Sequence, residues 1–294
     1  LSGRRLKLND SWTNPSQEWR VGMKRVYELF TDPLVKRMKM ERRKDWDRRH
    51  REVVTTAVEA LAAFDVATPS PKDAQKKERL ELENRIKVLK ELAETYEDPS
   101  PMLDCVVWHD GSKWRAAIDS SELYTGRPQI EGSTGGQLAA CKALADFDVE
   151  REYGTFSPWD ACNYGIHVYD EGKVLSIITD SSPHGTHVAG ITAAYHPEDP
   201  DLNGVAPGAQ IISCKIGDSR LDGMESGVGC TRAIIAVIRH KCHLINMSYG
   251  EPAAVPNKGR FIDLANEVVH KHNAIFVSSA VRPASASLPL APTF

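Results

Sequence analysis

The stretch Ser182-Pro183-His184-Gly185-Thr186-His187-Val188-Ala189-Gly190 holds the residue types with the most chemistry in them. An imidazole at a helix start, facing a cleft, can take a proton from a hydroxyl and return it to a leaving group. After His184, Val188, Ala189, Ile191 and Ala194 supply a tight apolar face, so a helix opening here packs by one side on a sheet. Gly185 lets a neighbouring backbone or an extended substrate come close. On these residues alone, a glycine-flanked helix start with two structural histidines also accounts for the string.

The 294 residues, 41% of them hydrophobic, suffice for one large domain or two small ones with a real core. A net charge of -3 weighs against nucleic-acid binding through bulk charge. No run of 18 apolar residues exists to span a membrane. The six cysteines show no paired spacing and no Cys-x-x-Cys, so neither a metal site nor a redox pair is expected; no cofactor is expected either. Their setting in apolar runs fits a reducing compartment.

Residues 1–20 read as a polar, extended lead-in. A helix is expected from Val26 to about Phe64. Its basic run, Lys36 to Arg51, is interleaved with Glu41, Asp45, Asp47 and Glu52, the mark of a solvated helix face rather than a nucleic-acid surface. Thr68-Pro69-Ser70-Pro71 breaks the pattern. Leu82, Ile86, Leu89, Ala93 and Tyr96 then form one apolar stripe, predicting a second helix over about Lys72–Tyr96 that packs by that face, as in a hairpin with the first. Strands at 103–108 and 113–118 flank His109-Asp110-Gly111-Ser112, a hairpin turn. A Gly/Ser/Thr-rich connector covers 120–138. A second hairpin is expected at 164–169 and 174–178. Beyond His184, strands at 210–216, 244–248 and 274–278 alternate with helices at 223–241 and 260–272. That alternation means a parallel sheet, with its active site at the carboxyl ends of the strands.

The His-Gly-Thr-His-Val-Ala-Gly string resembles the histidine motif of the subtilisin-like serine peptidases. Gly204-Val205-Ala206-Pro207-Gly208-Ala209 resembles the turn that follows the histidine helix in that family, and Ile245-Asn246-Met247-Ser248-Tyr249-Gly250 resembles its substrate-binding strand. The resemblance implies that His184 is the general base and that His187 packs behind it. It also implies that Ser248, Tyr249 and Gly250 pair through their backbone with a peptide substrate. One branch of the family is more similar still: large cytosolic enzymes with a long insertion between the catalytic aspartate and histidine. Ser11-Trp12-Thr13-Asn14-Pro15, Trp108-His109-Asp110-Gly111 and a glutamate straight after the substrate strand carry that similarity. It implies peptide substrates with a free amino terminus, release of tripeptides, a cytoplasmic location and large homo-oligomers. Two glutamates in that branch hold the substrate ammonium; here they look like Glu225 and Glu251. By residue type alone these are a helix-start acid and a loop acid.

The fold class expected is α/β: a partial subtilisin-like parallel sheet with flanking helices, preceded by a helical and β-hairpin insertion. The insertion is assigned to residues 1–160 and the peptidase core to 161–280. Residues 281–294 form a divergent Ala/Ser/Pro-rich tail. The family's Asp-Thr/Ser-Gly turn has no counterpart; Asp119-Ser120 and Asp180-Ser181 are the nearest imitations. The serine motif Gly-Thr-Ser is also missing, and Arg282 stands where the oxyanion asparagine belongs. The chain therefore reads as an inactive fragment of a tripeptide-releasing serine exopeptidase. The alternative is a natural truncated, non-catalytic binding or decoy module.

Overall fold

The computed structural model describes residues 3–128, 130–131, 133–180, 182–218, 225–250 and 257–279. Its contacts divide into two units, Leu1–Asp180 and Ser181–Phe294. In the first, β1 (Arg20–Arg25) precedes two long helices, α1 (Asp32–Ala67) and α2 (Asp73–Thr95). Then come β2 (Met102–His109), β3 (Trp114–Asp119) and β4 (Leu144–Ala145). The four strands form an antiparallel sheet in the order β1-β2-β3-β4. A short helix, α3 (Phe147–Glu150), leads to β5 (Gly154–Thr155), β6 (Asn163–Tyr169) and β7 (Val174–Thr179), a second antiparallel sheet.

β2 is buried on both faces, so its buried residues are apolar on each side apart from Asp104, which pairs with Arg4. Leu103, Cys105 and Val107 join a core with Phe30, Phe156 and Ile166, while Val106 and Trp108 join Leu138, Trp12 and Trp19 on the other side. The Trp12 and Trp108 rings stack at 4.6 Å, and Trp108 donates its indole N–H to the Thr13 carbonyl at 3.0 Å. The first hairpin turns at Gly111, in the left-handed region with φ 101°.

The helical hairpin follows the apolar period. Leu82, Ile86, Leu89, Ala93 and Tyr96 are half-buried, whereas Leu80, Val88 and Leu92 on the outer side are exposed. The basic residues of α1 face carboxylates: Arg42 on Asp98, Arg43 on Asp47, Arg48 and Arg49 on Asp45. Asp160, whose side chain is fully buried, receives Arg37 at 2.5 Å, Arg127 at 2.8 Å and the Ser157 hydroxyl at 2.5 Å.

In the first unit one strand lies outside the expectations and one helix starts later than expected. The polar lead-in gives way to β1, whose apolar residues point the wrong way for a sequence signal. Val21 and Met23 are 60% and 46% exposed, while Arg20 lies over the Trp114 ring. The ladder to β2 holds this strand, not its own alternation. The helix expected from Val26 begins only at Asp32, after a single tight turn.

The second unit opens with α4 (His184–Ala193), followed by α5 (Gly227–Arg239), β8 (Leu244–Met247), α6 (Arg260–His272) and β9 (Ile275–Ser278). β8 and β9 pair in parallel, Leu244 opposite Ile275, with α6 as the crossover. Ile245 and Phe276 pack on Ile234, Val268 and Ala274. On the opposite face Leu244, Ile275 and Val277 are exposed. The strand expected at 210–216 does not form: these residues join no ladder among the described residues, and Ile211 and Ile212 are exposed. An apolar run becomes a strand only through its neighbours, and here only an isolated antiparallel bridge joins Gly217 to Glu225. No described helix is long and apolar enough to cross a membrane.

Candidate active site

His184 is the first residue of α4 and is exposed. Its backbone N–H, one of the donors a helix start leaves free, is accepted by the Ser182 hydroxyl at 3.2 Å. Two residues of the string behave otherwise than a packed motif would: His187 is exposed, and Gly185 has open space around its absent side chain. His187 therefore does not pack behind His184 among the described residues; it lies on the solvent side of the first helical turn.

The far end of α4 is fastened by the glycine-led turn. Carbonyls at a helix end lack partners within the helix. Here Val205 donates its N–H to Ile191 O at 3.0 Å, Ala206 to Thr192 O at 2.8 Å, and Gly204 to Ala194 O at 2.8 Å. The approach requires glycine. A Cβ on Gly204 would lie 2.6 Å from Ala193 N and 2.7 Å from both Ala194 N and Gly190 O. The sequence shows this string as a turn, but not that its backbone closes the histidine helix.

At the carboxyl end of β8, the Ser248-Tyr249-Gly250 segment meets His184. The Tyr249 and His184 rings lie edge to face, centroids 5.6 Å apart and planes at 88°. Ser279, just past β9, donates its hydroxyl to the Tyr249 carbonyl at 3.1 Å and its N–H to Met247 O at 3.2 Å. Asn246 Nδ2 donates to the Ser248 hydroxyl at 2.9 Å. Nothing in the sequence sets Ser279 apart. Glu225 stands just before Ser226, which caps α5 by accepting the Gly229 N–H at 3.0 Å. It thus precedes the helix instead of lying in its first turn. Glu251 lies outside the described residues, as do Arg282 and the rest of the 281–294 tail.

The two aspartates that imitate the missing motif are engaged in the first unit. Asp119 accepts from Arg4, from Ser121 and from the Leu138 N–H, and Asp180 accepts the Asn163 N–H. Among the described residues, no carboxylate or hydroxyl bonds to the His184 ring. Asp146, Asp148 and His167 offer the one described cluster of metal-ligating types. Both Asp146 oxygens already accept hydrogen bonds, from His167 and the Asp148 N–H on one side and from the Val168 N–H on the other. Burial alone would raise the Asp146 carboxyl, but these donors outweigh it and hold it below the usual range. The cluster reads as the cap of α3.

A family model described as the subtilase family matches residues 116–281, more than half of the chain. Tripeptidyl-peptidase 2 of Arabidopsis thaliana is 56% identical over 280 residues, which is 95% of this chain and 20% of that protein. Tripeptidyl-peptidase 2 of Oryza sativa subsp. japonica is 53% identical over 281 residues, with the same coverage. A crystal structure of Tripeptidyl Peptidase 2 (TPP II) is similar with a TM-score of 0.64 and 26% identity, across 96% of this chain and 22% of the solved one. The chain spans about a fifth of the length of these relatives.

Proposed function

The chain belongs to the subtilase family of serine peptidases, and from that premise we propose that it is a segment of a serine exopeptidase releasing tripeptides from peptides with a free amino terminus. The observation that carries the reading is the meeting of His184 with Ser248-Tyr249-Gly250. It brings a general-base candidate and a substrate-strand candidate to one edge. In this reading residues 1–160 are an insertion, 161–280 contribute to the peptidase core, and 281–294 diverge from it.

The chemistry follows from what an imidazole can do. His184 takes the proton of a serine hydroxyl, and the oxygen attacks the scissile carbonyl. The tetrahedral intermediate collapses to an acyl-enzyme while His184 returns the proton to the leaving amine. Water repeats the sequence and frees the tripeptide. The serine and the orienting aspartate come from outside these 294 residues, so the isolated chain is inactive. Glu225 and Glu251 hold the substrate ammonium and so count three residues to the scissile bond. The full protein works in the cytoplasm as a large homo-oligomer.

The test uses a full-length chain carrying residues 1–280 of this sequence. His184→Ala should abolish cleavage. Glu225→Gln and Glu251→Gln should each lower kcat/KM on a free tripeptide substrate by about 10- to 100-fold, the worth of a charge-assisted hydrogen bond. On an acetylated substrate they should change little. Equal slowing of both substrates refutes the clamp. Turnover by the isolated 294-residue chain that is lost in His184→Ala refutes its inactivity.

A further inference from the structure

Resting on the reading of Ser248-Tyr249-Gly250 as the substrate strand, we propose that Ser279 is a positioning residue for the peptide, its hydroxyl holding that strand in register from the edge opposite the substrate. The backbone ladder of β8 and β9 runs from Leu244 opposite Ile275 to Met247 opposite Ser278. Past that last pair, the Ser279 N–H donates to the Met247 carbonyl at 3.2 Å. The segment assigned to the substrate begins one residue after Met247. There the Ser279 hydroxyl donates to the Tyr249 carbonyl at 3.1 Å. One residue thus grips two alternate carbonyls, the first by its backbone and the second by its side chain.

Alternation gives that grip its use. In an extended chain the N–H and C=O groups of successive residues point to opposite edges. The carbonyls of Met247 and Tyr249 face β9. The backbone groups of Ser248 and Gly250 therefore turn to the other edge, where an added peptide strand pairs. A bond at Tyr249 fixes the rungs on either side of it without touching the substrate. The scissile bond is placed by those rungs, so a shift in them misplaces it. Alanine at 279 keeps the backbone bond to Met247 and loses only the tie to Tyr249. Ser279 is exposed, so the change leaves no cavity behind.

The experiment compares Ser279→Ala and Ser279→Thr with the parent in the full-length chain carrying residues 1–280. One substrate is a free-amino-terminus tripeptide with a chromogenic leaving group. The other is p-nitrophenyl acetate, an activated ester with no peptide backbone to pair. Ser279→Ala should lose about 3- to 10-fold more kcat/KM on the tripeptide than on the ester, the worth of one hydrogen bond. Ser279→Thr keeps the hydroxyl and should recover most of that difference. Equal losses on both substrates overturn the proposal, because Ser279 then only supports the fold. No loss on either overturns it too, because the tie is then inert. Ser279→Thr showing the same difference as Ser279→Ala also overturns it, since the hydroxyl is then not the acting group. The reading beneath the proposal is tested in the parent alone, with a tripeptide substrate N-methylated at its internal amides. Its cleavage should be at least about 10-fold slower, because those amides no longer donate to a neighbouring strand. Equal cleavage would sink the substrate-strand reading itself, whatever the Ser279 variants do.

Discussion

Gly204→Ala tests how α4 holds its histidine. The added Cβ would lie 2.6–2.7 Å from three backbone atoms, and ordinary contact begins at 3.4 Å, so about 0.7–0.8 Å must be found. All three atoms belong to the end of α4, and none is the tip of a flexible side chain. The turn and the helix must part, and three N–H bonds from Gly204, Val205 and Ala206 stretch together. Overpacking of this kind costs about 1–3 kcal/mol. The functional effect is transmitted along the helix. α4 has 10 residues and is roughly 15 Å long, with His184 at the end opposite the clash. A rigid rod carries a displacement of that size to its tip. Misplacing a reacting group by about 1 Å costs on the order of 10²-fold, so kcat should fall by about 10- to 100-fold. Gly208→Ala is the control, because Gly208 lies in the same turn with nothing within 4 Å of its missing Cβ. Steady-state kinetics of both variants in the full-length chain carrying residues 1–280 decide the matter. Gly204→Ala within about 2-fold of Gly208→Ala would refute the reasoning.

Two further predictions concern the first unit. Asp160→Asn removes a fully buried charge facing Arg37 and Arg127, which keep the more exposed Glu41 as a carboxylate partner; stability should drop by about 1–3 kcal/mol, and an unchanged urea midpoint would contradict this. Burial alone would raise the Asp110 carboxyl, but Arg115, the N–H groups of Lys113 and Ser112 and the Ser112 hydroxyl hold it well below the usual carboxylate range. A depressed folded value contributes stability above the unfolded value of about 3.9 and loses it as pH falls towards the folded one. Asp110→Asn should therefore destabilise the unit at pH 7 and converge on the parent as pH falls below about 4. A gap in urea midpoint that stays constant from pH 7 to pH 2 would count against it.

Periodicity was a good guide where one face decides the fold. The stripe from Leu82 to Tyr96 is half-buried along its length, and Asp110-Gly111 turns the hairpin its flanking runs called for. It failed where a partner decides. β1 exists because β2 supplies its ladder, and its exposed Val21 and Met23 hide it from any pattern. Residues 210–216 have the composition of a strand and lack the neighbours. The candidate site shows the same division. His184 and the Gly204 turn could be picked out by residue type and order. The bonds from Gly204–Ala206 to α4, the Tyr249 ring on His184 and the Ser279 tie join segments 10 to 65 positions apart, and no local string encodes such distances.

The uncovered face of β8 and β9 bears on how this polypeptide is made. Chains leave the ribosome amino end first, and domains fold in that order. The first unit is built from adjacent antiparallel strands and one helical hairpin, and both faces of its central strand are closed by residues that emerge before Asp180. It can settle while translation continues. Among the described residues, the second unit closes one side of its parallel pair, and Leu244, Ile275 and Val277 stand exposed on the other. Parallel sheets tolerate that poorly. During synthesis those three side chains form an apolar strip open to other hydrophobic surfaces.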